Sequence, residues 1–154
     1  MAFRNTLDSI LGKALIAIMG IMVLNVLWQV FTRFIVGTPS SFTDELSRYL
    51  MVWLGILGAA YVSGKNMHVA IDVLPQRFSE RTQKQLRLFV FALVIAFAFV
   101  AMVVGGFRLV YITYVLEQRS PSLQIPLAAV YAVIPLSGML IIYYKITDII
   151  KIKS

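Results

Sequence analysis

Four long apolar runs limit what this chain can fold into, extending from about Leu11 to Val36, Leu46 to Ser63, Leu86 to Leu116 and Pro126 to Tyr144. Each reaches or exceeds the roughly 17–20 residues that an α-helix needs to cross a hydrocarbon core of about 30 Å. Composition agrees: 60% of the 154 residues are hydrophobic and 14% are charged, whereas a soluble domain is nearer roughly half apolar. The mean hydropathy is +0.85. These runs predict an all-α integral membrane protein, a single domain over residues 1–154 with spans near 12–36, 46–64, 86–110 and 126–144.

The net charge of +7 does not point to nucleic acid, because the basic residues flank the apolar runs instead of forming one dense patch. With the N-terminus placed inside, Arg4, Lys13, Lys65, Arg77, Arg81, Lys84, Arg87, Lys145, Lys151 and Lys153 lie on the inner side, and Arg33, Arg48, Arg108 and Arg119 towards the outer half. That asymmetry predicts both termini in the cytoplasm. Phe3, Leu7, Ile10 and Leu11 recur at helical spacing among Arg4, Asp8 and Lys13, which predicts a short amphipathic lead-in on the inner surface. The first run is too long for a cleaved signal, lacks an Ala-x-Ala-like site and carries Trp28, Gln29 and Arg33, so it is read as a retained helix.

The most informative stretch is Ser41 to Asp72. Asp44 and Glu45 fall where carboxylates suit the positive end of a helix dipole, and Ser41 or Thr43 can cap its free N–H groups. Arg48 follows at helical spacing, so Asp44, Glu45 and Arg48 share a face and are expected to form an outer polar cluster. Arg33 either joins that cluster or snorkels to lipid phosphate. Gly55, Ala59 and Ser63 repeat every fourth residue, giving with Trp53 a surface for close packing of a partner helix. His68 and Asp72 are expected to cap the inner end, before a basic connector that touches anionic lipid.

Helix three is expected to pack through Ala92, Ala96, Ala101 and Gly105. In the fourth run, Pro126 suits a first turn and Pro135 predicts a bend. Catalytic signals are missing: there is no Cys, a single His, and no HExxH, GxSxG or phosphate-cradling motif. One His and one carboxylate leave a metal shell unfilled, so no cofactor or metal is expected on this chain. The carboxylates fall at helix ends, which speaks against a self-sufficient proton-coupled carrier and calls for a partner.

Trp28 and Arg33, the run Thr43-Asp44-Glu45-Leu46-Ser47-Arg48, Trp53, Gly58-Ala59-Ala60, and Lys65 to Asp72 with His68 occur in order along the chain. Together they resemble the small membrane subunit of tripartite ATP-independent periplasmic (TRAP) transporters, the DctQ-like family. The layout of four helices matches throughout; the specific elements are confined to roughly Trp28 to Asp72. The resemblance implies a bacterial inner-membrane transporter in which a periplasmic binding protein delivers an organic acid, often a carboxylate or sialic acid. It also implies a large membrane subunit that carries the substrate and sodium sites and moves as an elevator beside this scaffold. The competing readings are a stand-alone small exporter, which would need a carboxylate inside the first span, a haem-binding subunit or membrane enzyme, and an assembly factor without a transport role.

Overall fold

The computed structural model describes residues 2–37, 40–65 and 80–153. Its described residues hold 4 helices long and apolar enough to span a membrane: Arg4–Val36, Ser41–Gly64, Thr82–Val115 and Leu127–Ile150. The spans are longer than the apolar runs because polar residues at their ends continue the helical hydrogen bonding. α1 covers Ala2–Phe31 and passes into a π-helical turn, Thr32–Val36. The expected lead-in around Arg4 and Asp8 is therefore the first part of α1, without a break. Gly37, at φ 75°, closes this helix in the left-handed region that glycine enters without steric cost.

α2 is Ser41–Gly64, whose 24 residues span about 36 Å at roughly 1.5 Å per residue. Neither Ser41 nor Thr43 caps it as expected. Ser40 is the N-cap and makes no side-chain cap bond, while the Thr43 hydroxyl donates to the Ser40 carbonyl at 2.9 Å. His68 and Asp72 lie outside the described residues.

The third span comprises α3 (Glu80–Phe97), a π-helical segment (Ala98–Val104) and α4 (Gly105–Val115). The wide π turn rotates the inward face. Ala98 and Gly106 are the buried small residues of this span, and Ala92, Ala96, Ala101 and Gly105 are exposed in the single chain. A Cβ added at Gly138 would stand 2.8 Å from Met102 Cβ in that π segment, so the fourth span presses its backbone into the widened turn.

The fourth span is broken as Pro135 requires, into α5 (Leu127–Tyr131) and α6 (Val133–Lys153). Proline has no N–H to give the carbonyl four residues back, and the next bond, Leu136 N–H to Ala132 O, is stretched to 3.4 Å. Pro126 is the N-cap of α5 in extended geometry, one position before the first turn expected for it.

The spans form a layer in which α2 packs against α1 on one side and α6 on the other, and α6 against α3 and its π segment. Leu11, Leu57, Val133 and Tyr144 form one buried cluster; Ala60, Ala98 and Ile141 form the other. Burial follows this order, with 44% of the fourth span's most apolar window buried and 6% of the first's. Residues such as Ile16, Leu24, Phe34 and Tyr114 are exposed, and an apolar surface of this extent requires hydrocarbon or another chain against it.

Candidate functional site

Two groups of polar side chains tie the layer together, one at each end. At the end carrying the described chain ends, the last turn of α2 leaves carbonyls without helical donors. Arg4 donates to the Gly64 carbonyl, and Lys145 Nζ donates to the Ser63 carbonyl at 3.1 Å. Cations at a helix C-terminus also meet its partial negative charge, about half an elementary charge. Arg4 pairs with Asp148 at 2.6 Å, with side-chain exposures of only 13% and 6%. Lys145, 1% exposed, lies 3.8 Å from the other Asp148 oxygen and 4.8 Å from the centroid of the Phe91 ring. Asp8 accepts a hydrogen bond from the Tyr144 hydroxyl at 2.7 Å and pairs with Lys65 at 3.3 Å. Arg4, Lys65 and Lys145 thus face the carboxylates of Asp8 and Asp148, and the α2 terminus offsets part of the excess positive charge.

Sequence reasoning used Arg4, Lys65 and Lys145 for orientation, with Arg4 also in the lead-in and Lys65 in the family resemblance, and missed this knot. The local signal was Asp148 following Lys145 at helical spacing; Asp8 follows Arg4 in the same way but pairs with Lys65 and Tyr144. Asp8 lies within the first helix, but Tyr144 and Lys65 occupy its oxygens at the helix end, unlike a carboxylate exposed on a substrate path.

At the opposite end the expected outer cluster divides. Arg48 reaches Asp44 at 3.1 Å, with exposures of 72% and 60%. Glu45 turns away to the loop between α4 and α5. Its Oε2 accepts the backbone N–H groups of Ser122 at 2.8 Å and Leu123 at 3.1 Å, and its Oε1 accepts the Tyr49 hydroxyl at 2.8 Å. That anchorage matters because Glu117 and Gln124 hold positive φ of 47° and 55°, a strained region for residues with a Cβ. Arg33 is exposed, and among the described residues no ion pair joins it to Asp44 or Glu45.

A further tie was not foreseen. Asn25, buried within the apolar run of α1, donates from Nδ2 to the Thr43 carbonyl and to Ser47 Oγ, both at 2.7 Å. An amide in a membrane helix gains from a neighbouring helix the partners that lipid does not offer.

The expected packing stripe also separates. Ser63 is buried in the terminal knot, and Trp53 Nε1 donates to the Val130 carbonyl at 3.0 Å across to α5. These two serve contacts inside the chain. Gly55 and Ala59 are exposed, and a Cβ placed on Gly55 or Gly58 meets nothing within 4 Å. Among the described residues no group of His, Cys, Asp and Glu is arranged to hold a metal.

The family model for the DctQ component of tripartite ATP-independent periplasmic transporters matches residues 22–152. A Haemophilus influenzae protein named as a TRAP transporter small permease is 37% identical over 73 residues, 45% of this chain and 45% of that protein. The sialic acid TRAP transporter permease protein SiaT of Haemophilus influenzae is 35% identical over 95 residues, 61% of this chain and 15% of that longer protein. The sialic acid TRAP transporter small permease protein SiaQ of Vibrio cholerae is 25% identical over 85 residues, 55% of this chain and 49% of that protein. In each case the match spans less than half of the curated relative.

Proposed function

The chain belongs to the DctQ component family of tripartite ATP-independent periplasmic transporters, and from that premise we propose that it is the small membrane subunit of a transport complex. Its work in this reading is mechanical. It widens the stationary frame beside which a large membrane subunit carries an organic acid, driven by sodium and delivered by a periplasmic binding protein. The complex sits in a bacterial inner membrane, with both termini of this chain in the cytoplasm, the orientation favoured by its basic residues. The substrate and sodium sites belong to the large subunit, and this chain is assigned no reaction and no cofactor.

The observation that carries the reading is the open face of α2 on a firmly tied layer. Gly55, Gly58 and Ala59 offer little side-chain bulk, so a neighbouring helix backbone can approach closely there, where packing in lipid is strongest. We assign that face to the large subunit. Sialic acid, itself a carboxylate and named in two relatives, is the first substrate to try.

The test is sodium-gradient-driven uptake in proteoliposomes, comparing this chain alone, its large partner alone, and both with the binding protein. Uptake requiring both membrane chains supports the reading; uptake by this chain alone overturns it. Gly55→Leu adds bulk to the open face and is expected to abolish copurification with the large subunit while this chain still folds. Unchanged copurification moves the contact to another face.

A further inference from the structure

A groove of about 370 Å³ runs between α1 and α2 at the end that carries the charged knot. One wall is a stripe of α1, with Asn5, Ser9 and Lys13 at helical spacing and Gly12 and Ile16 continuing it deeper; Tyr61 and Lys65 of α2 form the other. The lining therefore changes along the groove. Its outer part holds hydroxyl, amide and ammonium donors, and its inner part holds Gly12, the Ile16 side chain and the face of the Tyr61 ring. A Cβ added at Gly12 would stand 3.7 Å from that ring, in ordinary contact, so the two walls approach closely there.

Asp8 also lines the groove, but its carboxylate is engaged by Tyr144 and Lys65. Lys65 lies over the Tyr61 ring, 5.6 Å from its centroid. Lys13 differs from Arg4, Lys65 and Lys145 in that, among the described residues, no carboxylate lies within ion-pair distance of it. Its side chain is exposed. It also lies about 13 Å farther along α1 than Arg4, at roughly 1.5 Å per residue. Helical side chains lean towards the N-terminus, which aims the Lys13 ammonium back along the groove to Ser9 and Asn5. An unpaired ammonium near a span end draws an anion or snorkels to one.

We propose that this groove binds the phosphate of an anionic phospholipid, with Lys13 as its principal ligand, Lys65, Ser9 and Asn5 around the headgroup, and an acyl chain lying over Gly12 and Ile16. Basic recesses between membrane helices favour such headgroups, at about 1 kcal/mol for each lysine near the surface. A lipid held there fills the space between α1 and α2 beside the knot and bonds to both helices. The inference rests on the membrane-spanning fold and not on the transport reading, so its test leaves uptake aside.

The full chain, purified in mild detergent with any membrane chain that copurifies, is titrated with phosphatidylglycerol or phosphatidylcholine and the adducts are counted by native mass spectrometry. The parent is expected to retain phosphatidylglycerol in preference to phosphatidylcholine. Lys13→Gln lowers that retention roughly fivefold, Lys13→Arg restores it, and Lys84→Gln on α3 leaves it unchanged. Excess inorganic phosphate leaves the adduct in place, because the acyl contacts belong to the lipid alone. Equal retention by the parent and Lys13→Gln overturns the proposal, as does an equal loss in Lys84→Gln or displacement by free phosphate.

Discussion

Where the chain ends meet, oppositely charged side chains are removed from water: Arg4 and Asp148 are 13% and 6% exposed, and Lys145 beside them is 1% exposed. Across the layer, the Arg48–Asp44 pair keeps 72% and 60% of its side-chain surface in contact with solvent. The strong ties at that end are made by an amide and by a carboxylate that accepts backbone N–H groups. The comparison teaches that the same pair of charges has a different worth at each end. At a separation of about 4 Å the attraction is about 1 kcal/mol in water and about 4 kcal/mol at the effective dielectric of a protein edge. Removing one buried partner also strands the other, which exposed pairs do not suffer.

The comparison is tested hardest at Asp148. Asp148→Ala leaves Arg4 and Lys145 without their carboxylate, and a loss of about 3–5 kcal/mol in stability is expected. Thermal unfolding in detergent reads this as a large fall in midpoint or as a loss of folded chain. Arg4→Met combined with Asp148→Leu leaves only Lys145 stranded instead of two cations, and should be milder than Asp148→Ala alone. A double variant no better than the single one would mean that the knot stabilises through more than charge compensation.

Glu45→Ala comes next, because it withdraws the acceptor from Ser122 N–H, Leu123 N–H and the Tyr49 hydroxyl. Stranded donors cost about 1–3 kcal/mol where water is excluded; water reaches this loop, so the low end is expected. The readout is local. Amide exchange over 116–126 should accelerate while the terminal end keeps its protection, and uniform acceleration would show that the two ends are not separate units.

The legibility of these features follows their range along the chain. The spans could be read because hydrocarbon imposes one length and one composition on every crossing, and the Asp44–Arg48 pair because four residues bring its groups together on one helix. The Pro135 break was equally local. The Arg4–Asp148 bond joins residues 144 apart and the Glu45–Ser122 bond residues 77 apart, and no spacing rule reaches so far. Charges near span ends have two uses, topology and pairing, and a sequence displays the first without the second. The π segment escaped notice for another reason: one wide turn shifts the inward position beyond it from Gly105 to Gly106 without any change in composition.

A smaller effect is expected at Asn25. Asn25→Ala removes two bonds to α2, and interhelical hydrogen bonds in membranes average about 0.6 kcal/mol each, which predicts a loss of about 1 kcal/mol in the same unfolding assay. A loss equal to that of Asp148→Ala would erase the distinction between the ends.

The least effect is expected where the sequence drew most attention. Arg48 faces Asp44 at the start of α2, and the sequence reading joined Glu45 to them, making Arg48 the keystone of a cluster. The geometry removes Glu45 from that role, since the loop amides and Tyr49 occupy its oxygens. What remains is one helical pair in high dielectric, worth about 0.3–0.5 kcal/mol. Even unpaired, Asp44 stays in the first turn of α2, where the helix dipole favours a carboxylate. Arg48→Ala should therefore lower the unfolding midpoint by an amount close to experimental error, and added salt should abolish the difference. A large, salt-insensitive loss in the isolated chain would place Arg48 in a desolvated network and bring the two ends into one class. A loss confined to copurification with the large subunit would instead assign Arg48 to the interface between the subunits, where a partner's surface removes the water that now surrounds it.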